Sequence, residues 1–210
     1  MKLSNSLCTV EITVDPAFTL ESADNRPYDR VLNPREYKRR DFTRTFSIRI
    51  QLPERTLTLA LIGESHSFPE NCAILENDQL LVMQNHGISR LSIWDGQLLQ
   101  HTCFDCFGWL NAIYPMPDGY LIVGELAVYR LDACFRVQWQ YDAPSVICDW
   151  QLGENHLKLW LDTADYREKN PSPQIMQLGF DGEPLPEDKP ERRSRLTQWI
   201  TGFLVKERRR

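Results

Sequence analysis

Residues 109–142 read WLNAIYPMPDGYLIVGELAVYRLDACFRVQWQYD. Four short apolar runs stand out: Trp109–Tyr114, Tyr120–Val123, Ala127–Asp132 and Val137–Tyr141. Turn residues separate them, most plainly Pro117, Asp118 and Gly119. Pro presets the first turn position and Gly tolerates positive φ, so each run ends where the next begins. This pattern predicts a four-stranded antiparallel meander.

The same punctuation recurs on either side at a period of roughly 40 residues, the spacing of four-stranded repeats. Asn77-Asp78 precedes Leu80–Met83, and Gly153-Glu154-Asn155 precedes Leu157–Leu161, as Pro117–Gly119 precedes Tyr120–Val123. A third strand closing on an acidic turn appears as Arg90–Trp94 before Asp95-Gly96, as Val128–Leu131 before Asp132, and as Ile175–Leu178 before Asp181-Gly182. A fourth strand follows as Leu98–His101 and Val137–Tyr141, but Pro184 and Pro186 interrupt its third copy, because Pro lacks the ladder donor. The repeats span about 68–107, 108–145 and 146–187.

The run Tyr129-Arg130-Leu131-Asp132, followed by Val137–Tyr141 with its Trp139, resembles the blade motif of quinoprotein-type β-propellers. The likeness covers about half the chain and implies a blade, not a chemistry. Three blades fall short of a closed ring of four to eight. The expected fold is therefore all-β: antiparallel meanders in a partial or irregular β-propeller-like assembly, residues 1–187. A plain β-sandwich is the alternative.

Upstream, Leu7–Val14 alternates and is β-branched, which predicts a strand. Thr45–Leu52 places Phe46, Ile48, Ile50 and Leu52 on one face, and Thr56–Ile62 returns as its hairpin partner. These strands would supply a further irregular blade or a covering sheet. Residues 21–44 carry no periodic pattern and read as a long loop. Downstream, residues 188–210 read as a linker and one C-terminal amphipathic α-helix, with Leu196, Trp199, Ile200 and Phe203 forming an apolar stripe.

Composition bounds the function. A net charge of -5 over 210 residues argues against binding nucleic acid through the whole surface. The apolar runs are all much shorter than the roughly 18–20 residues of a membrane span. The N-terminus lacks a signal-peptide apolar core, so the expectation is a cytoplasmic protein, no membrane contact, and reduced thiols at the six cysteines, positions 8, 72, 103, 106, 134 and 148. Cysteines inside apolar runs, such as Cys72 and Cys148, are expected to be buried. Five tryptophans, at 94, 109, 139, 150 and 160, are expected to fill the space between sheets.

Chemistry-bearing motifs are few. His101, Cys103 and Cys106 form an H-x-C-x-x-C cluster, which suits packing between repeats; the alternative is a zinc or redox site. A second ligand pair that a structural zinc would need is missing from the sequence, so no metal is expected. No phosphate loop, dinucleotide fingerprint or nucleophile elbow is present, so no cofactor is expected and no catalytic residue is assigned. Asp142, Asp149, Asp162 and Asp165 read as turn formers. Arg35, Lys38, Arg39 and Arg40 make a basic cluster suited to an acidic protein partner, with acidic loops at 162–168 and 181–188 as further contact candidates. The expected function is a non-enzymatic protein-binding module, immunity or regulatory in kind. The alternatives are a small-ligand-binding or hydrolytic protein with a pocket at the strand ends, and a homodimer formed by pairing of sheet edges.

Overall fold

The computed structural model describes residues 1–38, 44–63, 71–84, 86–104, 108–162 and 173–186. Among the described residues every regular element is a strand. The expected C-terminal helix lies outside them.

The N-terminal sheet has five strands: β1 (Lys2–Ser4), β2 (Thr9–Asp15), β3 (Arg30–Leu32), β4 (Arg44–Gln51) and β5 (Thr56–Gly63). Their order is β1-β2-β4-β5-β3. Alternation sets the register. Val10, Ile12 and Val14 face Ile50, Ile48 and Phe46 across the β2–β4 ladder. Phe46, Ile48 and Ile50 are fully buried, as their period of two requires. β3 interrupts the stretch expected to be loop. It pairs parallel to β5, with Arg30 opposite Leu59. Three residues carry too little periodicity to announce themselves in the sequence.

Three repeat sheets follow, each a meander. The first is β6 (Ala73–Glu76), β7 (Gln79–Gln84), β8 (Gly87–Ser92) and β9 (Leu98–Cys103). The second is β10 (Leu110–Met116), β11 (Gly119–Gly124), β12 (Ala127–Asp132) and β13 (Val137–Asp142). The third has three strands: β14 (Ile147–Leu152), β15 (His156–Leu161) and β16 (Gln174–Gly179). A vestige of the fourth strand remains. Leu178 bridges Pro184, and Leu185 N–H donates to Gln177 O at 2.9 Å. The sheet order makes this a β-propeller-like repeat fold.

The sheets stack face to face. One core cluster joins the N-terminal sheet, the first repeat and one face of the second, through Ile113, Tyr120, Ile122, Tyr129 and Leu131. A second joins the other face of that sheet, Ala112, Leu121, Val123 and Val128, to Leu157, Leu159, Leu161 and Leu178. Burial on both faces explains why β11 and β12 read as continuous apolar runs rather than alternating ones. The last sheet shows the contrast. Its face turned away from the core carries Lys158, Trp160, Ile175 and Gln177, where the second sheet has Leu121, Val123, Val128 and Arg130 by strand register. A terminal repeat needs such a more polar outer face.

Each sheet also grips the turn between the third and fourth strands of the next. Arg30 Nε donates to Asp95 O at 2.7 Å, and Arg55 Nη2 donates to Trp94 O. Arg90 Nη2 donates to Ala133 O at 2.6 Å, and Gln100 Nε2 donates to Cys134 O at 3.0 Å. Trp139 Nε1 donates to Phe180 O at 3.1 Å. Gln100 and Trp139 occupy matching register positions, opposite Arg90 and Arg130. Two unlike side chains thus do the same job.

The tryptophans depart from expectation. Trp94 is 45% and Trp109 39% exposed, because one stands on a turn and the other just ahead of β10. Trp139 and Trp150 pack at the margin of the second core cluster, and Trp160 lies half-buried under Lys158 Nζ, 5.0 Å from its ring centroid. Cys72 is fully buried as expected, but Cys148 is exposed. A β-bulge between Ile147 and Asp149 inserts Cys148 as the unpaired residue and removes it from the alternation.

Candidate functional site: the rim around Arg35 and His101

Two candidates that are far apart in sequence meet in the fold. β3 lies beside β5, and the chain leaving it carries residues 33–38 over the end of the first repeat sheet. Asn33 latches this segment. Its Oδ1 accepts the Tyr37 N–H at 2.9 Å and its Nδ2 donates to Tyr37 O at 3.0 Å. Glu36, at φ 55, makes the left-handed bend, and its N–H donates to Asn33 O at 3.2 Å. Asn suits such a side-chain-closed turn because its amide mimics a backbone unit. The guanidinium of Arg35 lies over the Tyr37 ring, 5.5 Å from its centroid. Arg35 and Lys38 are exposed. Arg39 and Arg40 lie outside the described residues.

Beneath the turn, a narrow cleft is lined by Arg35, Tyr37, Ile62, Gln84, His86 and His101. Its volume is about 10 Å³, room for one water and no more. His101 stands on β9 directly opposite Ser89 of β8. Its Nδ1 lies 3.0 Å from Ser89 Oγ, and its Nε2 lies 3.2 Å from Cys103 Sγ. Burial pushes the His101 imidazole below its usual range, and the Arg35 cation pushes it further in the same direction. The ring is therefore neutral at pH 7, with one nitrogen donating and the other accepting.

Cys106 lies outside the described residues, so the full H-x-C-x-x-C trio is not placed. Among the described residues no group of three His, Cys, Asp or Glu side chains could hold a metal ion. The described acidic candidates serve local structure. Asp142 and Asp149 stand in β13 and β14 rather than in the expected turns; Asp142 accepts from Gln140 Nε2 at 2.6 Å and Asp149 accepts the Trp150 N–H at 2.8 Å, while the backbone N–H of Asp162 donates to Val146 O at 2.8 Å. Asp165 is not among the described residues. A larger, open groove of about 610 Å³ runs along the outer face of β16, between Lys158, Ile175, Met176 and Leu185.

Sequence reasoning found Arg35, His101 and Cys103 but missed Ser89, Tyr37 and Gln84. Ser89 could not be found by counting, because a β-bulge between Arg90 and Leu91 shifts the β8–β9 register by one residue before Ser89 comes opposite His101.

No family model matches the sequence, and no curated protein does. Solved structures match in shape. The Pan2 WD40 domain of Neurospora crassa has a TM-score of 0.46 at 12% identity, covering 70% of this chain and 48% of that one. A Bacteroides caccae protein of unknown function has a TM-score of 0.41 at 14% identity, covering 68% and 61%. BamB of Moraxella catarrhalis has a TM-score of 0.40 at 10% identity, covering 74% and 50%. The chain spans about half to three-fifths of the length of these three structures. No helix among the described residues is long and apolar enough to cross a membrane.

Proposed function

We propose that this chain is a non-enzymatic protein-binding module, immunity or regulatory in kind, that holds an acidic protein partner on the rim formed by residues 33–38. The observation that carries this reading is the latched turn. Asn33 fixes the backbone from residue 33 to 37, and within it the exposed Arg35 holds its guanidinium over the Tyr37 ring, with exposed Lys38 next along a chain whose net charge is -5. A preset charge costs less ordering on binding than a mobile one, and opposite charge steers the encounter. Arg39 and Arg40 extend the same cationic run in sequence. The cleft below the turn is water-sized and has no room for a metabolite, which weighs against the small-ligand reading at this rim. We place the protein in the cytoplasm, with no nucleic acid or membrane partner.

A photo-crosslinking residue at position 38, in the native host, tests this. The expected result is one discrete crosslinked protein that disappears when Arg35→Glu is added and persists when an exposed residue of the β4–β5 turn, Glu54, is altered instead. A crosslink at position 38 only to a second copy of this chain would replace the partner with self-association. Saturable thermal stabilisation by a small molecule, with no crosslink, would overturn the reading.

A further inference from the structure

Three polar side chains stand in line across paired strands. Ser89 is 1% exposed and its Oγ lies 3.0 Å from His101 Nδ1. His101 Nε2 lies 3.2 Å from Cys103 Sγ, two residues further along the same face of β9. Cys103 is exposed. Gly87 faces Cys103 in the β8–β9 register, so no neighbouring side chain on β8 covers the thiol. A Cβ at Gly87 would come 2.9 Å from His101 Cε1 and 3.2 Å from Nε2, so glycine there makes the room that the ring occupies. An exposed thiol, a nitrogen within reach of its proton and a buried group that fixes that nitrogen's ring make up an activated nucleophile.

We propose that Cys103 is a peroxide-sensitive thiol, oxidised to the sulfenic acid by hydrogen peroxide, with His101 as proton acceptor and Ser89 as its positioning residue. The sulfur attacks one peroxide oxygen. The S–O bond forms as the O–O bond breaks, and the sulfur gives up the two electrons that the peroxide takes. The thiol proton passes to His101 Nε2 and from there to the departing hydroxide. Cys–SH and H2O2 become Cys–SOH and H2O, with nothing left over. Among the described residues, the charged and titratable groups that share the cleft with His101 are Arg35, Tyr37 and His86. The inference stands whether or not the 33–38 rim binds a protein.

Cys148 supplies the control within the same molecule. It is also exposed, but its Sγ lies 3.1 Å from Trp160 O, a carbonyl that does not take up a proton. The full chain is reduced, exposed to dilute hydrogen peroxide with dimedone present, and each cysteine is followed by mass spectrometry. Cys103 is expected to label on the order of 100-fold faster than Cys148, the lower end of the range of general-base assistance. His101→Gln should bring it down to the Cys148 rate. Ser89→Ala should slow it and move its rate–pH profile, which a merely structural change would not do. Fully buried Cys72 reports on folding, since it labels only if a variant opens. Equal rates at Cys103 and Cys148 in the unaltered protein would overturn the proposal. So would an unchanged Cys103 rate in a folded His101→Gln variant.

Discussion

The guanidinium carbon of Arg90 sits 4.3 Å from the centroid of the Phe135 ring, and the Nη2 of the same group donates to Ala133 O at 2.6 Å. One side chain of the first repeat sheet therefore holds both the backbone and the aromatic side chain of a turn in the second. Only a planar cation does both at once, because the fork reaches the carbonyl while the flat face lies on the ring. Arg90→Lys should lower stability by about 1–2 kcal/mol, the sum of one hydrogen bond and most of a partly buried cation–π contact. Urea unfolding checks this. A midpoint unchanged within error would show that the sheets hold together without the clamp.

Phe135 itself has φ +64, at the place where the matching turns have Gly96 and Gly182. An L-residue there costs roughly 1–2 kcal/mol, and the ring's packing on Arg90 and on Tyr120, 5.4 Å away, offsets it. Phe135→Ala loses the ring and keeps the strain; Phe135→Gly loses the ring and relieves the strain. Glycine is therefore expected to be the less damaging change, by about 1 kcal/mol. If alanine proved as stable as glycine, the strain would not be present in solution.

How much of this was legible follows from which signals are local. The meanders showed in Trp109–Tyr141 because each turn residue acts on its own neighbours. β3 did not show, because three residues carry no period and its pairing with β5 is tertiary. The arginine cluster and His101 were each visible. Their meeting was not, since it depends on how the chain leaves β3. Aromatic content misled in another way. Trp94 and Trp109 carry enough apolar surface to predict burial, yet their places at a turn and ahead of β10 leave them 45% and 39% exposed. Cys148 failed for one inserted residue, since a bulge resets the alternation that a sequence reading counts along.

At the next junction the contact is tighter. Trp139 Nε1 donates to Phe180 O at 3.1 Å, and a Cβ built on Gly182, whose φ is +89, would come 2.9 Å from Trp139 Cδ2. Trp139→Phe removes one donor and should cost about 1 kcal/mol. Gly182→Ala meets both the clash and the positive φ and should cost more than about 2 kcal/mol. In a double-mutant cycle the two should be less than additive, because a smaller ring at 139 relieves the clash and leaves only the strain. Strict additivity would mean that the indole does not lie over Gly182.

The core shared by the first two repeat sheets, which holds Cys72 and Tyr120, should make the protein sensitive to alkali. Burial pushes the Cys72 thiol up to about 11, from an ordinary 9.0. Burial, followed by the hydrogen bond that Tyr120 OH donates to Glu76 Oε2 at 2.8 Å, pushes the phenol up to about 12 from 10.0. Both groups are neutral below these values, and the folded state holds its protons more tightly than the unfolded one. Their stabilising contribution is thus complete below the unfolded values. It is lost as pH rises, across about 9–11 for Cys72 and about 10–12 for Tyr120. For Cys72 the whole effect is roughly 2–3 kcal/mol, at 1.36 kcal/mol for each pH unit of displacement. Urea midpoints at about pH 8 and about pH 10.5 should therefore fall apart in the unaltered protein. Cys72→Ala, which removes the titrating sulfur from a fully buried position, should start lower at the first pH and lose less between the two. A variant that loses as much as the unaltered protein would show that deprotonation of this thiol is not what alkali acts on.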